Sequence, residues 1–395
     1  MIMLSDIVLG ANAGRSRSHN RRMVLGQVRN AGKMGRAEIA RAAGLSIQAV
    51  SNITSDLLDD GLIVEKGRVA SGRGHPPVQY ALNPGGAFAL GVEIRPDAIF
   101  AAVLNLCGET MASERRSLPA TDRDTVTRAL LSLRKDIMVR ASIEPQRLLG
   151  AGIVMPGPFG STGLSGSVSD LPGWDGIAPR SWFADHLAIP VLVENDANAS
   201  AMAERFNGVA QNLESFAYIY FGRGLGLGVI ANGRLLTGAF GNAGEIGHIP
   251  VPSGGRSVPL ENVVSRFSVQ RALEERGVTA SSTEDLADLY AARHPVLMAW
   301  LDTATEPLAA AITTLENLFD PETVILGGAM PQPILEHLTE TLPLAERSVS
   351  SRADRQHPRL MKGASGRLTA TLGAAALVID QAFVPRFADP TQERP

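Results

Sequence analysis

Four glycines alternate with other residues at Gly222, Gly224, Gly226 and Gly228, between two apolar, strand-like runs. Tyr218-Ile219-Tyr220-Phe221 precedes them and Val229-Ile230 follows. This spacing narrows the local fold to two strands joined by a tight turn. Such a turn lets backbone N–H groups approach a phosphate, or it simply makes a hairpin. No Gly-Lys-Ser/Thr follows, so it is not a Walker loop. Downstream, Glu245 and His248 lie in Gly244-Glu245-Ile246-Gly247-His248, with Glu261 beyond. Three polar residues among glycines suit a polyol, whose adjacent hydroxyls need donors and acceptors in fixed directions.

The chain has 395 residues, 45% hydrophobic and 19% charged, which fits two or three globular domains. No apolar run approaches the ~18 residues of a membrane span. The start, MIMLSDIVLG, is not a secretory signal, because the charges follow its apolar stretch. A single cysteine, Cys107, rules out an intrachain disulfide and suits a cytoplasmic location. The net charge of −3 hides an asymmetry: residues 1–80 hold 11 Lys+Arg against 6 Asp+Glu, and the remainder holds 26 against 34. A basic N-terminal module on an acidic body points to a polyanionic partner at that end.

Residues 1–18 lack periodicity and predict a mobile arm. From Asn20 the pattern is helical, with Val24, Leu25, Val28 and Ala31 on one face until Gly32 and Gly35 break it. A short helix over 36–43 is followed by Gly44-Leu45-Ser46, a tight turn with an N-capping serine. The next helix, 47 to about 60, should bury Ile47, Val50, Ile53, Leu57 and Leu58 and expose Gln48, Ser51, Asn52 and Ser55. This is a helix-turn-helix whose second helix suits a major groove. Gln48 and Asn52, one turn apart, can pair bidentately with adenine. Two strands, 62–65 and 77–82, flank a basic, glycine-rich wing. Candidate DNA contacts are Arg36, Ser46, Gln48, Ser51, Asn52, Lys66, Arg68 and Arg73. Such modules also serve protein interaction; the basic balance and the wing favour duplex DNA.

Asn83-Pro84-Gly85-Gly86 reads as a linker. Strands at 87–94 and 98–106 are joined by Arg95-Pro96-Asp97, an ordinary surface hairpin unless Arg95 binds an anion. A helix spans 126–140, and a buried strand, 150–155, runs into Pro156-Gly157-Pro158. The strand 189–193 leads through Glu194 to Asn195 and Asp196, which open a helix to about 206. A carboxylate is favoured there, and the pair is also a common cap. Helices follow at 286–294 and 297–319, and the last residues, from about 387, read as disordered.

The glycine spacing, followed by Asn232-Gly233-x-Leu235, Gly238-Ala239-x-Gly241 and Ala243-Gly244-Glu245-x-Gly247-His248, resembles the ROK family of sugar kinases and transcriptional repressors. Residues 36–62 also look like the MarR-like winged helix of the family's repressors. The resemblance implies an α/β fold: an N-terminal winged helix-turn-helix, then a two-lobed actin-like, RNase H-like domain whose lobes close around a sugar. The implied parts are an arm (1–18), the winged helix (19–82), a linker (83–87), a first lobe (88–205 with 370–395) and a second lobe (206–369). Asn195, Asp196, Glu245, His248 and Glu261 fall on sugar-contacting positions, Asp196 on that of the kinases' general base. Residues 170–174 match a loop over the sugar; a turn with a packed Trp174 fits them as well. Residues 320–328 and 366–381 match the Gly-Gly turn near adenosine and the closing helix.

Two departures alter the expected chemistry. The kinases' first phosphate turn, Asp-x-Gly-Gly-Thr, reads Glu93-Ile94-Arg95-Pro96-Asp97 here. Proline lacks an N–H, and Asp97 would face a phosphate with like charge. Arg223 also replaces a small hydroxyl residue. The family's zinc loop follows the histidine, but Pro252, Gly254 and Pro259 stand where its cysteines belong. A Cys₃His site is impossible in a chain with one cysteine. The expectation is therefore a sugar-responsive DNA-binding regulator, a repressor, with no catalytic residue in use, no metal and no cofactor. Its partners are double-stranded operator DNA and a sugar effector, as a homodimer or homotetramer, with no membrane. The alternative is a hexose or N-acetylhexosamine kinase carrying a DNA-binding head.

Overall fold

The computed structural model describes residues 12–68, 77–158, 171, 173, 174, 176–364 and 366–383. Its first helix, α1 (Asn12–Ala31), starts inside the stretch expected to be an arm. The reason lies 39 residues away in sequence: Arg17 pairs with Asp56 at 2.5 Å, and Arg21 with Asp60. Such exposed pairs contribute little, because solvent screens them. Burial of Val24, Leu25 and Val28 carries the rest of the docking. β1 (Met34–Gly35), α2 (Arg36–Ala43) and α3 (Ile47–Asp59) follow. Gly44, in the left-handed region at φ 64°, closes α2, and Ser46 Oγ caps α3 by accepting from Ala49 N at 3.1 Å. Val50, Ile53, Thr54 and Leu57 form the buried stripe of α3. Ile47, expected inside, is 62% exposed, and Leu58 is half-buried. Helical side chains tilt toward the N-terminus, so one in the first turn projects past the packed stripe. β2 (Ile63–Arg68) and β3 (Val78–Leu82) complete a sheet of order β1-β3-β2. This is a winged helix; Arg73 and the rest of the wing tip (69–76) lie outside the described residues.

The head belongs to a compact unit comprising 1–153, 170–193 and 374–395, and 154–169 with 194–373 form a second. In the first unit β4 (Phe88–Ile94), β5 (Ala98–Asn105) and β6 (Thr110–Ser117) form an antiparallel meander. β4 and β5 are buried along their whole length, as strands covered on both faces must be. α4 (Arg123–Arg140) turns Val126, Leu130, Leu133 and Ile137 inward. β7 (Leu148–Val154), α5 (Pro179–Leu187) and β8 (Val191–Glu194) complete a sheet of order β6-β5-β4-β7-β8.

The second unit contains α6 (Asp196–Asn207), β9 (Phe216–Phe221), β10 (Leu225–Ala231), β11 (Arg234–Leu235) and the hairpin β12 (Pro250–Ser253) and β13 (Arg256–Pro259). α7 (Arg266–Glu274), α8 (Thr283–Ala291), α9 (Pro295–Phe319), β14 (Thr323–Gly328), α10 (Gln332–Thr341) and β15 (Leu360–Lys362) follow. Its main sheet, β11-β10-β9-β14-β15, repeats the order of the first: a three-strand meander extended from its first strand by two later ones. Two such sheets make a duplicated RNase H-like fold. α11 (Thr369–Phe383) runs from the second unit into the first.

The lobe boundary expected at 205 falls instead at 193/194. α6 seats on β10, where Gly226 and Gly228 leave room for it. A Cβ on Gly226 would lie 2.8 Å from Ala197 Cβ, and one on Gly228 would lie 2.7 Å from Ala201 Cβ. These two glycines lie within a strand and admit a helix; only Gly222–Gly224 form the turn, with Gly222 N donating to Gly224 O at 3.1 Å.

Candidate functional site

Asn195 is the N-cap of α6, its Oδ1 accepting from Asn198 N at 2.8 Å. Glu194 fixes this cap: its Oε1 accepts from Asn195 N at 3.0 Å and from Asn198 Nδ2 at 2.9 Å. Burial pushes the Glu194 carboxyl up, against the pull of those donors. Asp196 stands in the first turn, where the helix N-terminus favours negative charge. Its Oδ1 accepts from Ala197 N at 2.9 Å, and its Oδ2 lies 3.3 Å from the Cβ position of Gly222. Asp196 therefore faces the 222–224 turn.

The Glu245 segment is pressed onto β10. Leu227 N donates to Gly244 O at 3.0 Å, and a Cβ on Gly244, at φ +97°, would sit 1.9 Å from Leu227 O. Only glycine fits. The Cβ position of Gly157, in the Pro-Gly-Pro turn, lies 3.4 Å from Glu245 Oε1 and 3.8 Å from Asn195 Cβ, so Glu245 and Asn195 converge there. Glu261 Oε2 lies 2.3 Å from the Cβ position of Gly224. His248 Nε2 is 3.7 Å from Glu245 Oε2, too long for a hydrogen bond. Burial raises the Glu245 carboxyl; His248 lowers it and Glu261 raises it again. Asp196 and Glu261 thus face the 222–224 turn, whereas Asn195 and Glu245 meet at Gly157 with His248 beside Glu245, all within the second unit. Carboxylate acceptors beside an amide and an imidazole are a hydroxyl-binding set, and they repel phosphate.

The segment after His248 replaces a metal loop with a backbone ladder. β12 and β13 pair antiparallel, Pro250 opposite Pro259 and Pro252 opposite Ser257. Gly254 and Gly255, at φ +56° and +75°, supply the tight turn. Leu260 N donates to Ile249 O at 2.9 Å at the open end, which holds the turns carrying His248 and Glu261 side by side. Zinc does not fit here: the three positions that would supply sulfur are two prolines and a glycine within this hairpin. The role of Glu194 in fixing the cap and this hairpin escaped the sequence reading. The Gly254-Gly255 pair between Val251 and Val258 was the signal for the hairpin.

The turn at 93–97 is closed on itself. Arg95 N donates to Ala98 O at 2.8 Å, and Pro96 has no N–H to offer. Arg95 Nε donates to the buried Glu93 carboxylate at 2.6 Å, and its guanidinium lies 4.4 Å from the Phe100 ring centroid. Asp97 pairs with Arg115 at 3.3 Å. Arg223 lies 5.5 Å from the Phe267 ring centroid. Trp174 is packed, stacked on Phe183 at 5.0 Å with Nε1 donating to Thr121 O at 2.9 Å.

On the head, Gln48 Nε2 donates to Asn52 Oδ1 at 3.2 Å across one exposed turn of α3. Ser46 and Lys66 are exposed, Ser51 is half-buried, and Arg68 ends β2. Arg36 turns inward: its Nε donates to Thr54 Oγ1 at 3.1 Å, and its guanidinium lies 5.1 Å from the Tyr80 ring centroid.

A winged helix followed by a duplicated RNase H-like fold defines a sugar-kinase-like domain behind a winged-helix head. Residues 89–381 match the ROK family, and the chain belongs to it. A xylose repressor of Caldicellulosiruptor bescii is 29% identical over 332 residues, covering 78% of this chain and 82% of that protein. The crystal structure of a ROK family transcriptional regulator, a homologue of the E. coli MLC protein, superposes with a TM-score of 0.74. It is 25% identical and covers 93% of this chain and 97% of its own. A ROK hexokinase from Thermus thermophilus gives 0.57 at 26% identity, covering 73% of this chain and 97% of its own. No helix among the described residues is long and apolar enough to cross a membrane.

Proposed function

We propose that this protein is a transcriptional regulator, a repressor, in which the winged helix binds duplex operator DNA and the ROK domain binds a neutral hexose or hexose derivative without phosphorylating it. One observation carries the reading. The chain joins a winged helix to a cluster of three carboxylates, an amide and an imidazole, while the turn at 93–97 is closed by its own hydrogen bond and ion pair. The relatives named as repressor and regulator support the same assignment. Asn195, Asp196, Glu245, His248 and Glu261 take the sugar hydroxyls; Gln48, Ser51 and Asn52 read bases; Ser46, Lys66, Arg68 and Arg73 meet the backbone. Ligand binding biases a conformational equilibrium, and operator affinity follows.

A thermal-shift screen over sugars, amino sugars and their phosphates identifies the effector. Asp196→Ala should then abolish the effector's influence on operator affinity and leave DNA binding without sugar unchanged. A wild-type response in Asp196→Ala, or no sugar that alters DNA affinity, overturns the reading. The intact Asp196 favours one alternative, a kinase with a DNA-binding head. A coupled assay showing turnover near ~1 per second with any hexose establishes that alternative.

A further inference from the structure

The exposed face at the start of α3 holds one residue that neither the fold nor the polar readers explain. Ile47 is 62% exposed, whereas Val50, Ile53 and Leu57 of the same helix are buried. A β-branched side chain in a helix is held near one χ1 rotamer, so it is a rigid apolar projection. It stands beside Gln48, four residues before Ser51, and on the helix whose Gln48 and Asn52 side chains are paired at 3.2 Å. The polar groups of this patch match hydrogen-bonding base edges. The major groove offers one prominent apolar group, the 5-methyl of thymine.

We propose that Ile47 is a specificity determinant that packs on a thymine methyl in each operator half-site, next to the bases read by Gln48 and Asn52. The proposal rests on the reading of the head as a duplex-DNA module and adds a base identity to it. Ile47 holds no part of the core, so its truncation leaves the head folded.

The test uses the full chain and an operator selected by it from random duplexes. Each half-site thymine is replaced in turn by deoxyuracil, which removes the methyl and keeps every hydrogen-bonding group. Wild type should lose roughly threefold to tenfold in affinity at one thymine per half-site, the scale of one buried methyl contact. Ile47→Ala should bind the parent operator with a similar loss and be indifferent to deoxyuracil at that position. Ile47→Val should keep most of the sensitivity. Wild type insensitive to deoxyuracil at every position, or Ile47→Ala as sensitive as wild type, overturns the proposal and leaves the regulator reading standing. Failure to enrich any duplex sequence removes both.

Discussion

Arg36 ties three parts of the head together: α2 carries it, Thr54 of α3 accepts its hydrogen bond, and Tyr80 of β3 lies under its guanidinium. A hydrogen bond from a charged donor and a cation–π contact each contribute on the order of 1 kcal/mol, more where desolvated. Arg36→Ala should therefore lower the melting temperature of the protein and weaken DNA binding by loosening the head. The dependence of log Kd on log salt should keep its wild-type slope, whereas loss of a phosphate contact would reduce that slope by about one. Titrations across a salt series decide between the two roles. The residue stands in the basic stretch that marked it as a DNA contact; only the packing of Thr54 and Tyr80 shows that its charge is used inside the head.

α11 is locked by two close approaches of backbone to backbone. A Cβ on Gly373 would fall 1.7 Å from Ala199 O on α6, and one on Gly152 of β7 would fall 2.0 Å from Ala374 O. Ala199 lies on the helix whose first turn carries Asp196, and the far end of α11 places Phe383 5.2 Å from Arg29 on α1. Gly373→Ala should cost about 1–3 kcal/mol or more by overpacking and should weaken the sugar response with it. Gly366→Ala, with no atom of the described residues within 4 Å of its Cβ, is the matched control and should be near neutral. Thermal melts with and without the effector read both outcomes.

For the molecule as a whole, the expected homodimer would carry two copies of the proposed reading helix and so require two half-sites. The full chain should bind a two-fold operator as a dimer, with two chains per duplex and far weaker binding to an isolated half-site. Equal affinity for full and half operators, at one chain per duplex, contradicts this. By itself the sequence determined the helix-turn-helix and proposed the five ligand positions. The first rests on helical periodicity with glycine and serine stops; the second rests on Glu245, His248 and Glu261 set among glycines and, for Asn195 and Asp196, on the family resemblance. It missed α5, α7, α10, the strands β1, β6, β11 and β15, and the β12–β13 hairpin. Tertiary structure alone decided the seat of α6 on Gly226 and Gly228 and the exposure of Ile47. It also decided the extension of α1 to Asn12 and the closure of the 93–97 turn by Phe100 and Arg115. Each of these depends on a partner remote in sequence or on the end of a packed face, and local periodicity reports which side of an element is apolar but not what comes to cover it.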